Sequence, residues 1–426
     1  MSPLEQLKEA VRPYYLRWIY FRLRPGRRPD AFHNCWQYPY DKIIGDSPRL
    51  PESPASSLPD LIFYPMTDWH TRIQRTQHLV RAFAGLGHRC IYINPHLGRE
   101  FETTPLRDKD HRLARLEENI YELHIRLPRE PVFHDRLLSP NEEDIVLDVI
   151  RRVLPRRPCA IQILSFPLWR GVARRFRDQA AFPIVYDCHD LLAGFQNICA
   201  DMITAETDLL EEADLVLFSS QGLADQYRSV KKWLLVRNGV TAMDFTGNGA
   251  SREGPPVVGY VGALDSWFDL EAMEQSAALN PHCRFVLAGR IEYPPIQRLE
   301  SIPNIELLGE IPYTRVPELL SQFRAALIPF RINPLTLMTN PIKLYEYFSC
   351  GLPVVSTLLP EAQAMGDLVY LGSNPADFAL QVIRAVREDD PSRRSRRKEI
   401  AARENWTARA RDISEEFGAL LGYAKA

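Results

Sequence analysis

From residue 61 onward, short apolar runs alternate with stretches in which apolar positions recur at helical spacing. Brief apolar runs bounded by polar, Gly or Pro positions predict buried strands, and the longer periodicity predicts amphipathic helices. "LIFYPM" (61–66) reads as a strand, "RIQRTQHLVRAFAGLG" (72–87) as a helix closed by Gly87, and "RCIYINP" (89–95) as the next strand. "CAIQILS" (159–165), "FPIVYDCHD" (182–190), "ADLVLFSS" (213–220) and "KWLLVRNGV" (232–240) continue the series. "TGNGASREGPP" (246–256) then breaks it with Gly, Ser and Pro, as a linker does. A second series follows: "VVGYVGAL", "RFVLAGR", "NIELLGE", "AALIPF", "LPVVST" and "LVYLG". "ENWTARARDISEEFGALLGYA" closes the chain and reads as one long amphipathic helix, with Trp406, Ile413, Phe417 and Leu420 on one side.

Strand and helix alternation of this kind predicts an α/β protein with two tandem Rossmann-like, doubly wound domains. Residues 1–58 are expected to form a basic helical extension and connector, 59–245 the first domain, 246–404 the second, and 405–426 a helix crossing back to the first. Ligands bind open α/β sheets at the carboxyl ends of their strands, so a cleft between two such domains is the expected site.

Length and composition narrow the classes. A chain of 426 residues holds two or three domains, and 52 basic against 54 acidic residues argue against an overall polyanion binder, so no nucleic acid partner is expected. Seven dispersed cysteines without a CxxC pair suit reduced thiols in the cytoplasm. No apolar run approaches the length of a membrane span. Residues 4–30 differ from the rest: seven basic and three acidic positions interleave with Leu7, Val11, Tyr14, Tyr15, Trp18 and Phe21. Such a segment fits the headgroup zone of an anionic membrane, which would make the protein peripheral on the inner face of the plasma membrane; a helix packed on the protein body fits the pattern too.

The chemistry concentrates in "TNPIKLYEYFSCGLPVVS" (339–356). Asn340 reads as a helix N-cap, Pro341 as the first helical residue, and Gly351 as a left-handed terminator. Lys343 would then stand at the positive end of the helix dipole, where a cation is disfavoured unless an anion is bound. Glu346, three residues on, shares its face. The pair is either a nucleotide clamp, with amides and lysine on phosphate and carboxylate on ribose, or a surface ion pair. Gly259 and Gly262 at one strand end, and Gly289 with Arg290 at another, allow close approach of a phosphate. In the first domain, "MTDWHTR" (66–72) and "YDCHD" (186–190) leave strand ends facing the expected cleft. His189 is a candidate to hold or polarise a hydroxyl, and Asp68 or Asp190 to orient the attacking one; each also fits a strand-end hydrogen-bonding role. Trp69, Arg72 and Arg75, with His78 at helical spacing, are candidates to hold an anionic acceptor or to solvate a helix face. "DKD" (108–110) lies in a charge-rich stretch and reads as solvated loop, so no metal and no other cofactor is expected.

These residues bring a family into view. The chain resembles the family 4 type of nucleotide-sugar glycosyltransferases (glycosyl transferases group 1) with the GT-B fold, and within them the teichuronic acid biosynthesis branch. The resemblance spans residues 59 to 420 and is strongest in "NPIKLYEYFSCGLPVVST", supported by "DWHTRIQRTQHLVRAFAGLGHRCIYINP", "YDCHD", "VRNGV", "GYVGALDSWFDLEAM" and "LLGEIPYTRVPELL". It implies that Glu346 binds ribose, that the amides of Asn340, Pro341's neighbour Ile342 and the turn around them face a pyrophosphate, and that Ile311 to Tyr313 line the base. It also implies transfer of a sugar from a nucleotide diphosphate to an acceptor hydroxyl with retention, without metal, in cell-envelope polysaccharide or glycolipid synthesis. The partners implied are a nucleotide-sugar donor and a saccharide or lipid-linked acceptor. Two departures stand out: Met338 occupies the position of a family glutamate facing the donor sugar, and "ALDSWFD" lacks the family's Arg and Lys, a charge that Arg290 or Lys343 would supply. A sugar-nucleotide epimerase, or a silent sugar-nucleotide-binding subunit recruiting a partner transferase, are the other readings of the same features.

Overall fold

The computed structural model of the protein describes residues 45–51, 58–70, 72–94, 109–128, 135–155, 159–195, 198–241, 254–388 and 390–422. The basic segment 1–28, most of the linker at 246–256 and Asp108 of "DKD" lie outside the described residues.

The first half forms a nine-stranded sheet. Its strands in chain order are β1 (Gly45–Ser47), β2 (Asp60–Tyr64), β3 (Cys90–Ile93), β4 (His111–Glu117), β5 (Ile120–Ile125), β6 (Ala160–Leu164), β7 (Ile184–Cys188), β8 (Leu215–Phe218) and β9 (Trp233–Leu235). They are arranged β1-β4-β5-β3-β2-β6-β7-β8-β9, parallel from β5 to β9 and antiparallel across β1, β4 and β5. The central strands are buried along their whole length, which is why they read as unbroken apolar runs: helices cover both faces. These helices are α1 (Arg75–Gly85), α2 (Pro140–Val153), α3 (Arg170–Ala180), α4 (Ala200–Glu212) and α5 (Gln221–Gln226).

The second half forms a six-stranded, wholly parallel sheet. Strands β10 (Val257–Val261), β11 (Arg284–Ala288), β12 (Ile305–Gly309), β13 (Ala325–Ile328), β14 (Val354–Thr357) and β15 (Val369–Gly372) lie in the order β12-β11-β10-β13-β14-β15. Its helices are α6 (Leu270–Leu279), α7 (Val316–Ser321), α8 (Pro334–Leu337), α9 (Ile342–Ser349), α10 (Pro360–Gln363), α11 (Pro375–Arg387) and α12 (Pro391–Arg403). After α12 the chain returns to the first sheet as α13 (Trp406–Ser414) and α14 (Phe417–Leu420). Trp406, Ala410, Ile413 and Phe417 join a buried cluster with Leu61, Phe63, Leu79 and Phe83, and the Phe417 ring stacks on Phe83 at 5.7 Å.

Two expectations are corrected here. The connector is not all connector: β1 pairs with β4, and Leu50 is buried in the first core, because an extended segment beside an open edge satisfies its backbone by adding a strand. The terminal helix is not continuous; it breaks between Ser414 and Phe417, where the chain bends over the sheet. The charge-rich stretch after Asp110 also proves to hold the β4–β5 hairpin.

The outgoing and returning chains run side by side between the two halves. Val240 bridges Asn405 in parallel, and its N–H donates to the Glu404 carbonyl at 3.0 Å. A Cβ on Gly239 would stand 2.9 Å from the Glu404 carbonyl oxygen and 3.1 Å from the Asn405 carbonyl carbon, both backbone atoms that cannot swing aside. Gly239→Ala is therefore expected to destabilise the protein by about 1–3 kcal/mol through overpacking, read as a lowered urea midpoint. An unchanged midpoint would show that the two crossings are free to separate.

Candidate active site

The site is built on α9. The residue preceding its first turn, Pro341, is extended (ψ 116°), and no side chain caps the helix. Asn340 is thus not the cap that its local sequence suggests. Its side chain is claimed from farther away: Oδ1 accepts from the Asn238 N–H at 2.8 Å, and Nδ2 donates to the Tyr345 hydroxyl at 3.0 Å and to Glu361 at 2.9 Å. The Asn238 amide in turn donates to the Asn340 carbonyl at 2.5 Å. What remains at the start of α9 is a turn of backbone amides with no side chain over it, carrying the helix's positive end.

This turn opens onto a cavity of about 370 Å³ between the two sheets, lined on that side by Pro341, Ile342 and Lys343. Lys343 Nζ pairs with Glu346 Oε2 at 2.9 Å. Glu346 is 1 % exposed, and its Oε1 has no hydrogen-bond partner among the described residues, so a buried carboxylate oxygen is left with an unmet demand for a donor. Gly262 and Gly289 form the floor; a Cβ on Gly289 would fall 1.6 Å from the Gly262 carbonyl oxygen, so the two strand ends touch backbone to backbone. Ile311 and Tyr313 line one end of the cavity, where Tyr313 meets the edge of the His78 ring at 5.5 Å. Arg290 lines it as well and pairs with Glu292 at 3.1 Å.

From the first domain, His189 and Asp190 face this turn across the cavity. The Nδ1–H of His189 donates to the Asp187 carbonyl at 3.0 Å, and its Nε2 lies 3.8 Å from Asp190. Asp190 keeps a third of its side chain accessible, but inside a cleft walled by both domains; loss of bulk water raises its pKa, against the pull of His189 and Arg75. Behind this pair lies Glu206, buried and accepting from the Tyr186 hydroxyl at 2.7 Å; burial pushes its pKa up to about 7.

Arg72 and Arg75 both line the cavity, and each is already paired with carboxylates. Arg75 grips Asp187 through Nε at 3.0 and 3.1 Å and donates to Asn238 at 3.0 Å. Arg72 crosses the cleft to Glu292 at 2.8 Å and Glu310 at 3.0 Å. Asp68 and Trp69 are corrected outright, for neither lines the cavity. Asp68 is 2 % exposed and accepts from the His70 N–H at 2.7 Å and from Asn94 at 2.9 Å, while Trp69 is buried against the Tyr92 ring at 5.1 Å, beneath the Arg81 guanidinium. Both leave a strand end, yet neighbouring strands recruit them inward. His78 is likewise no surface ligand: it is buried and stacked on Trp406 at 4.9 Å. Met338 has become a domain contact, its carbonyl accepting from Ser220 and its sulfur 2.8 Å from where a Cβ of Gly222 would stand.

Sequence reading missed Asn238, Glu361 and Glu292. "VRNGV" carried the signal for the first, an Asn-Gly pair at a strand end; the two glutamates had none. Among the described residues no cluster of three or more His, Cys, Asp or Glu side chains has metal-binding geometry, and no helix is long and apolar enough to cross a membrane.

Residues 255–388 match the family model of the glycosyl transferases group 1. A Bacillus subtilis (strain 168) protein, TuaH, whose name places it in teichuronic acid biosynthesis as a glycosyltransferase, is 26% identical over 268 residues. The alignment takes in 55% of this chain and 66% of that relative, just under two thirds of its length. Sucrose-phosphate synthase from Thermosynechococcus elongatus superposes with a TM-score of 0.66 at 15% identity, covering 86% of this chain and 100% of that one. Anabaena HepE in complex with UDP-glucose gives 0.60 at 15% identity, covering 84% and 99%. The architecture of two facing Rossmann-like sheets is shared with these structures, and it is the GT-B fold.

The buried imidazole gives a test of this packing. Burial, with Arg81 and Lys343 nearby, lowers the pKa of His78 from 6.5 to about 3. The unfolded chain therefore takes up this proton first as pH falls; the contribution of His78 is intact above about pH 6.5 and lost towards pH 3. His78→Phe, which keeps a ring on Trp406, should lose less stability than wild type between pH 7 and 5, by about 1 kcal/mol per pH unit. Urea titrations at the two pH values measure it, and parallel losses would contradict a buried neutral imidazole.

Proposed function

We propose that this chain, a glycosyltransferase by its group 1 domain and GT-B architecture, moves a sugar from a nucleotide diphosphate to an acceptor hydroxyl. The observation that carries the reading is the uncapped first turn of α9, with Lys343 and the half-satisfied Glu346 beside the bare backbone of Gly262 and Gly289. The amides of Ile342 and Lys343 and the Lys343 ammonium would take the diphosphate. Glu346 Oε1 would accept from the ribose hydroxyls, and Ile311 and Tyr313 would border the base. As the bond between sugar and phosphate breaks, negative charge grows on the leaving diphosphate, where preorganised amides and cations stabilise it most. His189 and Asp190 line the same cavity and would orient the attacking hydroxyl. Retention of configuration without a protein nucleophile or metal follows the family resemblance.

HepE was solved with UDP-glucose and a trehalose-phosphate synthase from Burkholderia vietnamiensis is described as UDP-forming, which makes UDP-sugars the first donors to try. The likeness to TuaH supports an acceptor in cell-envelope polysaccharide synthesis, saccharide or lipid-linked. The basic, aromatic pattern of residues 1–28 supports a peripheral site on the inner face of the plasma membrane.

Incubating the protein with nucleotide sugars and membrane lipid extract, and following nucleotide release and glycosylated product by mass spectrometry, tests the reaction. Release of an altered free donor without acceptor would identify an epimerase instead. Lys343→Ala and Glu346→Gln should each weaken donor binding roughly tenfold or more by calorimetry, given charge-assisted hydrogen bonds in a water-poor site. His189→Ala should lower kcat and leave donor Kd within about twofold. Unchanged donor affinity in both α9 variants would remove this site. Deletion of residues 1–28 should weaken sedimentation with anionic liposomes; equal sedimentation would remove the membrane proposal.

A further inference from the structure

Among the described residues four lysine and arginine side chains line the cavity, and each is already held by a carboxylate: Arg75 by Asp187, Lys343 by Glu346, Arg290 by Glu292, and Arg72 by Glu292 and Glu310. Their partners differ in kind. Asp187 is buried and fixes Arg75 from within the first domain, and Glu346 shares a helix with Lys343. Glu292 alone takes two arginines, one from each domain, on a single oxygen: Oε1 lies 2.8 Å from Arg72 Nη2 and 3.1 Å from Arg290 Nε. It does not itself line the cavity. Nor is it on a loose tip, since its N–H donates to the Leu264 carbonyl at 2.9 Å and its neighbour Ile291 bridges Leu264.

We infer that Glu292 is a built-in counter-ion that competes with the ligand's phosphates for Arg290 and Arg72, and so sets how tightly the site takes a diphosphate. The inference rests on the phosphate site proposed above. Its physics is a competition between anions. Arg72, Arg290, Glu292 and Glu310 together carry no net charge, so an incoming anion gains little from them until it displaces the carboxylate. The side chains are partly solvated (29 % exposed for Arg72, 52 % for Arg290, 32 % for Glu292), and ion pairs in that setting are individually weak. A diphosphate, with several charges and oxygens for both guanidiniums, displaces Glu292 where a monophosphate gains less. The carboxylate thus lowers affinity most for ligands that draw on both guanidiniums, and its removal favours nucleoside diphosphates over monophosphates. Because Arg72 belongs to the first domain and Glu292 to the second, the exchange also changes one of the contacts that hold the cleft shut.

The test is calorimetry of the full chain with UDP, UMP and inorganic pyrophosphate. Glu292→Gln should bind UDP and pyrophosphate about tenfold tighter than wild type and UMP about threefold tighter or less. The gain should largely vanish when Arg290→Ala is combined with Glu292→Gln. Glu306→Gln, which removes an exposed carboxylate on β12, should change UDP affinity by less than about twofold and controls for net charge. A Glu292→Gln protein that binds neither UDP nor pyrophosphate more tightly, or a gain that survives loss of Arg290, overturns the inference. Pyrophosphate separates it from the functional reading. Tighter pyrophosphate binding in the variant, with no nucleotide bound by either protein, supports the role of Glu292 and refutes the nucleotide site; nucleotide bound equally by both does the reverse.

Discussion

At the start of α9 the two halves of this molecule meet in a two-way exchange of hydrogen bonds between Asn238 and Asn340. Each asparagine uses side chain and backbone towards the other, so the contact fixes both position and orientation. Around it the charges are arranged in order: Arg75 and Asp187 anchor Asn238 from the first domain, and Glu361, itself bound by Arg237 and by the Gln221 N–H, anchors Asn340 from the second. Nearly all of these groups are buried, where a missing partner is costly and a complete network is rigid. The start of α9 is uncapped because its neighbour's side chain is spent here. The uncapped turn of α9 and the interdomain joint are therefore one construction.

That coupling explains why Met338 need not leave a gap. The segment 334–338 is drawn onto the first domain by Ser220, Gly194 and Gly222, with Leu335 and Met338 packed against the core beneath the first sheet. A glutamate at 338 would face Gly222 and an apolar surface rather than a sugar. One part of the cavity lining is made by packing, from Leu335, Phe195 and Trp267, with the Phe195 and Trp267 rings edge to face at 6.5 Å. Arg72, Arg290 and Lys343 give the same cavity its charged lining.

How much of this was legible depended on the range of the forces involved. The parallel strands could be read because strands buried on both faces must be apolar throughout. Lys343 and Glu346 could be paired because a helix fixes residues three apart on one face. The β4–β5 hairpin was opaque, since charged residues interrupt both faces of β4, Arg112 on one and Arg115 on the other, and its register depends on partners across the turn. Asn340 was misread for the same kind of reason: its local sequence argues for a cap, and a partner 102 residues away outcompetes that role. By position alone Asp68 looks catalytic and Trp69 acceptor-binding, and only Tyr92 on the adjacent strand and Asn94 just after it reveal that they point inward. Glu292 carries no pattern at all; its meaning comes from two arginines that approach it from separate domains.

The return of α13 and α14 to the first sheet has a consequence for how the protein is made. Trp406, Ile413 and Phe417 complete a core whose other members begin at Leu61. Translation delivers them only after the entire second domain. The half of the molecule synthesised first must wait on the ribosome with Leu79, Val80 and Phe83 uncovered, and it closes only when the final helical turns emerge. A nascent chain cut short before residue 406 is not a smaller enzyme but an exposed apolar trough, a ready substrate for chaperones and proteases.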